Sequence, residues 1–357
     1  MTISKLVVGL YIAACPVVAL AQSAIQYQRG DDNQAELQQL GGIGSSSQQY
    51  QDGTGNLSRI AQTGDYNNAQ VRQRSSFSEA VVTQDGSYNQ TRIYQGGSDW
   101  NRDSAGGSRW RAEVVQLGSA NQVTLQQDQG FGSGAYLHQE GNRNVHQIRQ
   151  DGYPNRLEAS SIGEDNRLVV DQIGGFGTSR VAQRGDANQV TIEQQAFSNN
   201  GAIEVTQQGF ANQASITQSA VWRSVGTLEL EQVGSSNSMT VDHNNGAYAF
   251  RFSQEGIGNR LDSVQSGPNL FEGYSIGNRN QVDVVQIFYD ADLRISQIGD
   301  DNSIETEQYA VYRQSASIDQ LGDANQAILR QMDRFTSNQL ATIIQQGNGN
   351  LATAVQH

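Results

Sequence analysis

Lysine is almost missing from this 357-residue chain: Lys5 is the only one, and all other positive charge is arginine. Acids number 36 and the net charge is −13, which argues against nucleic acid or an anionic membrane surface as the natural partner, since both attract basic patches. A single cysteine, Cys15, excludes a disulfide scaffold and a cysteine-based metal site. Four scattered histidines, His138, His146, His243 and His357, give little material for a metal or catalytic centre. Three prolines exclude a collagen-like chain, and an apolar share of 36% is modest for a large globular core. There is no phosphate loop, paired-histidine zinc motif or nucleophile elbow. The chain is therefore expected not to be an enzyme, and to use no cofactor, metal or small-molecule substrate.

What the chain has instead is side-chain amide. Gln occurs 47 times and Asn 27 times, with 38 Gly. Ahead of this amide-rich part, Met1 to Ala21 has the form of a secretory signal peptide. Lys5 is the positive start, the stretch from Leu6 to Leu20 is apolar, and Ala19-Leu20-Ala21 precedes a polar Gln22, so cleavage after Ala21 is predicted. The segment is too short for a comfortable membrane span. Ile12-Ala13-Ala14-Cys15 also resembles a lipobox, which would leave Cys15 lipidated.

From Gln22 to His357 one pattern repeats: Gln-x-Gly-x-x-Asn, then five residues, then Gln or a substitute. It runs through Gln28-Gly30-Asn33, Gln62-Gly64-Asn67, Gln84-Gly86-Asn89, Gln116-Gly118-Asn121 and Gln183-Gly185-Asn188. It continues through Gln254-Gly256-Asn259, Gln297-Gly299-Asn302, Gln320-Gly322-Asn325 and Gln345-Gly347-Asn350. Allowing Ser for the first Gln, as at Ser161 and Ser275, there are 16 copies, spaced near multiples of 11 residues. The half-repeat is about 11 residues and the full repeat about 22, giving 14 to 15 repeats without an intervening linker. Longer turns fall near 96–107, 197–201, 221–226 and 334–338.

Between motifs the side chains alternate. Asn188, Val190, Ile192 and Gln194 share one face, while Gln189, Thr191 and Glu193 share the other. Period two means strand. The motif is then the corner that turns the chain, with Gly supplying backbone angles that other residues resist. One such unit cannot bury its apolar face alone, but stacked copies can. The expected fold is all-β: a two-sheet β-solenoid, one repeat per rung.

The amides belong inside for a physical reason. A buried amide without a partner costs about 1–3 kcal/mol. A Gln above a Gln removes that cost, because each donates to one neighbour and accepts from the other. The motif residues named above are therefore expected to form structural ladders. In degenerate halves Trp100, Trp110, Tyr248 and Leu270 take the Asn position, and His243 takes a Gln position. His146 points inward between Asn144 and Ile148. Paired turn acids such as Asp31-Asp32 and Asp300-Asp301 are expected in solvent, and their spacing matches no calcium loop.

The pattern Ser/Gln-x5-Gln-x-Gly-x-x-Asn-x-Ala-x3-Gln is similar to the curlin repeat of curli amyloid subunits of Gram-negative bacteria. Ser78…Gln84-Gly86-Asn89…Gln95 and Gln314…Gln320-Gly322-Asn325-Ala327…Gln331 match it closely, and the resemblance covers essentially 26–357. It implies a secreted subunit that polymerises with itself into extracellular amyloid fibres at the cell surface, for adhesion and biofilm matrix. It also implies a nucleator protein that seeds growth and an outer-membrane channel that exports the chain unfolded. A different class of reading is a monomeric β-solenoid adhesin that engages a surface ligand through its outward face.

Overall fold

The computed structural model describes residues 9–11, 22–96, 109–196, 201–220, 227–244, 249–310, 313–332 and 339–356. The remainder of the expected signal peptide with Cys15, the centres of the longer turns, Trp100, Tyr248 and His357 lie outside the described residues. The chain divides into two compact units, Met1–Gly175 and Phe176–His357. Both are built from β-strands, and no helix occurs among the described residues.

In the first unit, one sheet contains Gln34–Leu40, Leu57–Thr63, Glu79–Ser87, Arg111–Ser119, Gly134–Asn142 and Arg156–Glu164 in that order, and Gly9–Tyr11 runs beside Gln34–Leu40. The other sheet contains Ser23–Arg29, Ser46–Asp52, Asn68–Arg74, Gln90–Gly96, Gln122–Asp128, Val145–Gly152 and Arg167–Gly174. The chain crosses from one sheet to the other at every arch, so strands adjacent in space are alternate strands in sequence. All pairings are parallel and in register, with Gln62 beside Gln84 and Gln84 beside Gln116. The second unit repeats the plan. One sheet runs from Thr178–Asp186 through Ala249–Ile257 to Gln339–Gln346, the other from Gln189–Ala196 through Arg260–Ser266 to Leu351–Gln356. Each unit is a β-solenoid.

The alternation in sequence explains the strands. In Glu79–Ser87, Ala80, Val82 and Gln84 are buried, while Glu79, Val81 and Thr83 face outward. The same inward set recurs in most of the described rungs: a polar residue at the arch, two mostly aliphatic side chains, then Gln. Val114, Leu125, Leu168, Leu228, Val282 and Leu293 are among the buried aliphatics, and a fully buried one contributes about 1.5–3 kcal/mol.

At the arch the glycine is required twice over. Gly86 has φ +117°, and a Cβ added there would stand 2.0 Å from the carbonyl oxygen of Gly118 in the next rung. Backbone thus packs on backbone, and only a residue without Cβ fits.

One inward assignment requires correction. Leu270 does not take the Asn position: Asn269 is buried there, its Oδ1 accepting from the backbone N–H of Ala291 at 3.0 Å, and Leu270 is half-buried on the outward side. The cause is a shortened arch, in which Asn269 follows Gly267 by two residues rather than three.

Candidate functional site: the amide-laddered core

The inward glutamines form continuous columns. In one sheet of the first unit Gln39, Gln62, Gln84, Gln116 and Gln139 are linked in turn, each Nε2 donating to the next Oε1 at 2.8 Å. In the other sheet Gln28, Gln51, Gln73, Gln95, Gln127, Gln150 and Gln172 are linked at 2.7–2.9 Å. Gln28 thus belongs to a different column from Gln62, Gln84 and Gln116, because an odd number of half-repeats separates them.

In the second unit Gln183 donates to Gln207 at 3.1 Å and Gln207 to Gln232 at 2.8 Å. Gln254 is buried beside Gln232 and Ser275. Ser275 donates to Gln297, which leads to Gln320 and Gln345 at 3.0 and 2.8 Å. The facing column ends in Gln286, Gln308, Gln331 and Gln356, linked at 2.7–2.8 Å.

The same amides do a second job that the sequence pattern did not reveal. Gln73 Nε2 also donates to the Leu57 carbonyl at 3.0 Å, and Gln84 Nε2 to the Asn68 carbonyl at 3.1 Å. Each of these bonds crosses from one sheet to the other. The glutamines therefore brace the sheets laterally as well as stacking vertically, and both amide hydrogens are used.

The asparagines work differently from the glutamines. Their column is closed through backbone more than through amide–amide contacts. Asn67 Nδ2 donates to the Gly86 carbonyl at 2.8 Å, and its Oδ1 accepts from the Asn89 backbone N–H at 3.0 Å. Asn89 repeats this with Gly118 and Asn121, at 2.8 and 3.1 Å. Asn33, Asn188 and Asn259 likewise donate to Gly53, Gly209 and Gly277 at 2.7–2.9 Å. The series Asn259, Asn280, Asn302, Asn325 and Asn350 continues with Oδ1 accepting the next Asn N–H at 2.9–3.0 Å. Asn350, on the last rung, is exposed, and Gln28 and Asn33, on the first, are half-buried. The motif glycines Gly30, Gly64, Gly118, Gly185, Gly256, Gly299, Gly322 and Gly347 share the positive φ of Gly86.

Two histidines depart from the inward pattern, His146 in an aliphatic row and His243 in a Gln column, both inward as expected. His146 is fully buried, and its Nε2 lies 2.8 Å from Ser161 Oγ in the facing sheet. Burial, reinforced by the charge of His138, lowers its pKa to about 3. His243 stands in a Gln column between Gln218 and Gln265. Neither of its ring nitrogens, nor Gln265 Oε1, has a hydrogen-bond partner among the described residues, and burial lowers its pKa to about 4. Trp110 does take the Asn position: it is 1% exposed, and its carbonyl accepts from Glu79 N–H at 2.8 Å.

The turn acids stand at the surface and several are ion-paired between rungs. Arg143 grips Asp165 at 2.7 and 2.8 Å and Glu164 at 2.7 Å, and the hydrogen bonds from Arg143 hold the Asp165 carboxyl below its ordinary pKa. Arg279 pairs with Asp301 at 2.6 Å. Asp300 Oδ1 accepts from Asn278 N–H at 2.9 Å. Among the described residues no group of three or more His, Cys, Asp and Glu stands together as a metal site. Stacked side-chain amides of this kind have donors and acceptors with which to hydrogen-bond a further strand in register. No family model matches the chain, and no curated protein matches it.

Proposed function

We propose that this chain is a secreted structural subunit that assembles with copies of itself into extracellular, curli-type amyloid fibres at the surface of a Gram-negative bacterium. The fibres would serve adhesion and biofilm matrix. A nucleator protein and an outer-membrane export channel are the partners this reading calls for.

The observation that carries it is an amide column ending on a one-sided strand. Among the described residues Leu351–Gln356 pairs with Gln326–Gln331 on one edge only, and Gln339–Gln346 with Gln314–Leu321 on one edge only. The ladder arrives there through Gln331 to Gln356 at 2.7 Å. At the first unit, Ser23–Arg29 likewise pairs, among the described residues, only with Ser46–Asp52. Leu340, Ile344 and Leu351 on the last rung are each about two-thirds exposed. An unpaired strand edge with apolar neighbours templates addition of a further strand, and the Gln column selects the register of what is added.

The test is assembly of the purified chain from Gln22 onward. Thioflavin-positive fibres with a reflection at about 4.8 Å along the fibre axis are expected. A chain that stays monomeric and dye-negative at high concentration, yet binds a surface ligand, would instead establish the monomeric adhesin.

A further inference from the structure

Charge is spread unevenly over the outward faces. On most of them arginine stands against acid: Arg59 pairs with Glu36 at 2.7 Å, Arg251 with Glu229 at 2.6 Å and Arg330 with Glu305 at 3.0 Å. One face differs. On Ser23–Arg29, Ser46–Asp52, Asn68–Arg74 and Gln90–Gly96 the outward side chains include Arg29, Arg72, Arg74 and Arg92 but a single acid, Asp52. In a chain of net charge −13 this is a local reversal of sign. Arg72, Arg74 and Arg92 form no ion pair among the described residues. Arg72 lies over the Tyr50 ring at 5.3 Å, and Arg92 Nε donates to Gln70 at 3.3 Å.

The tyrosines on this face narrow the choice of ligand. Tyr27, Tyr50, Arg72 and Tyr94 form one column along the stacking direction. Tyr27 and Tyr50 stack on each other at 4.9 Å, and Arg72 covers the other face of Tyr50. Single-stranded nucleic acid needs open aromatic faces on which bases stack, and Tyr50 has none to offer. What the column presents outward is donors: phenol hydroxyls, guanidinium groups and, beside them, the amides of Gln48 and Gln70. These repeat from strand to strand at about 4.8 Å, close to the rise of one sugar in an extended pyranose chain. Guanidinium groups without an acid partner suit carboxylates, which they bind through paired charge-assisted hydrogen bonds.

We infer that this face binds an acidic, uronate-bearing polysaccharide laid along the stack, with Arg72, Arg74 and Arg92 holding its carboxylates. The site is independent of polymerisation, and the monomeric and assembled protein both present it.

The experiment measures binding of the purified chain to polygalacturonate, to neutral dextran and to single-stranded DNA by biolayer interferometry, on samples whose assembly state is checked separately by dye fluorescence. Polygalacturonate should bind and dextran should not, and the affinity should fall as salt is raised from about 0.05 to 0.5 M. The triple variant Arg72→Gln/Arg74→Gln/Arg92→Gln should bind roughly tenfold more weakly. Arg59→Gln/Arg111→Gln/Arg156→Gln, on the facing sheet, should bind as the parent. If the first triple variant loses its β-sheet circular dichroism, Arg92→Glu alone must give the loss. Parental affinity in the folded variant, equal binding of dextran, or tighter arginine-dependent binding of DNA would overturn the proposal.

Discussion

His146 and Ser161 meet across the core, imidazole Nε2 to hydroxyl Oγ at 2.8 Å, at the rung where the Gln column of one sheet is interrupted. Gln139 precedes Ser161 in that column. The shorter serine leaves room, and the large ring from the facing sheet occupies it. Elsewhere the position of His146 is held by Val123 below and Leu168 above. The two departures from the repeat therefore compensate each other.

A double-mutant cycle on that pair should show coupling. His146→Val removes the hydrogen bond between the two side chains and Ser161→Gln overfills the space, each costing about 1–3 kcal/mol. The double variant restores the ordinary rung and should recover most of the loss. Additive losses in urea unfolding would mean that the two residues do not compensate.

Acid should weaken the rung at His243. Its folded pKa is about 4 against a reference of 6.5, so between these values the unfolded chain binds the extra proton. Its contribution is fully present above about pH 6.5 and is lost as pH falls toward 4, by up to a few kcal/mol. His146 acts in the same direction, down to about pH 3. His243→Gln should flatten part of this dependence and, by rejoining Gln218 to Gln265, add about 1 kcal/mol at neutral pH. An unchanged pH–stability profile for this variant would disprove the account.

Alanine scanning of glycines should separate stacking from backbone freedom. Gly86→Ala meets the Gly118 carbonyl at 2.0 Å as well as an unfavourable φ, and is expected to cost about 3 kcal/mol or more. Gly349→Ala has positive φ but nothing within 4 Å, and should cost only about 1 kcal/mol. Thermal unfolding of the two variants gives the comparison, and equal losses would show that rung-to-rung contact is not what selects glycine.

Inward and outward positions on one strand should differ in assembly. Gln194 donates to Gln218 at 2.8 Å and to the Gly201 carbonyl at 2.9 Å, whereas Thr191 and Glu193 face solvent. Gln194→Ala, Gln183→Ala and Asn188→Ala should each slow dye-monitored fibre growth severalfold, since about 1–3 kcal/mol of unpaired amide partner is left behind. Thr191→Ala and Glu193→Ala should have little effect. Equal slowing on both faces would contradict the role of the ladder.

Much of this architecture was readable in the chain. Alternation at Asn188, Val190, Ile192 and Gln194 established strand and inward face, because side-chain direction in an extended chain is a local, period-two property. The 11-residue spacing of Gln-x-Gly-x-x-Asn established the rungs. Leu270 was misplaced because one missing arch residue shifts the phase, which periodicity alone does not register.

The sequence by itself determined that amides would be buried, that they would need one another, and that glycine would stand at each arch. Tertiary structure decided what they actually bond. It divided Gln28 and Gln62 between two columns, turned the asparagines onto glycine carbonyls, seated His146 against Ser161, and gathered Arg72, Arg74 and Arg92 on one face. The physical reason is separation along the chain: Gln84 and Gln116 stand 32 residues apart yet are hydrogen-bonded at 2.8 Å, and such contacts exist only once the rungs are stacked.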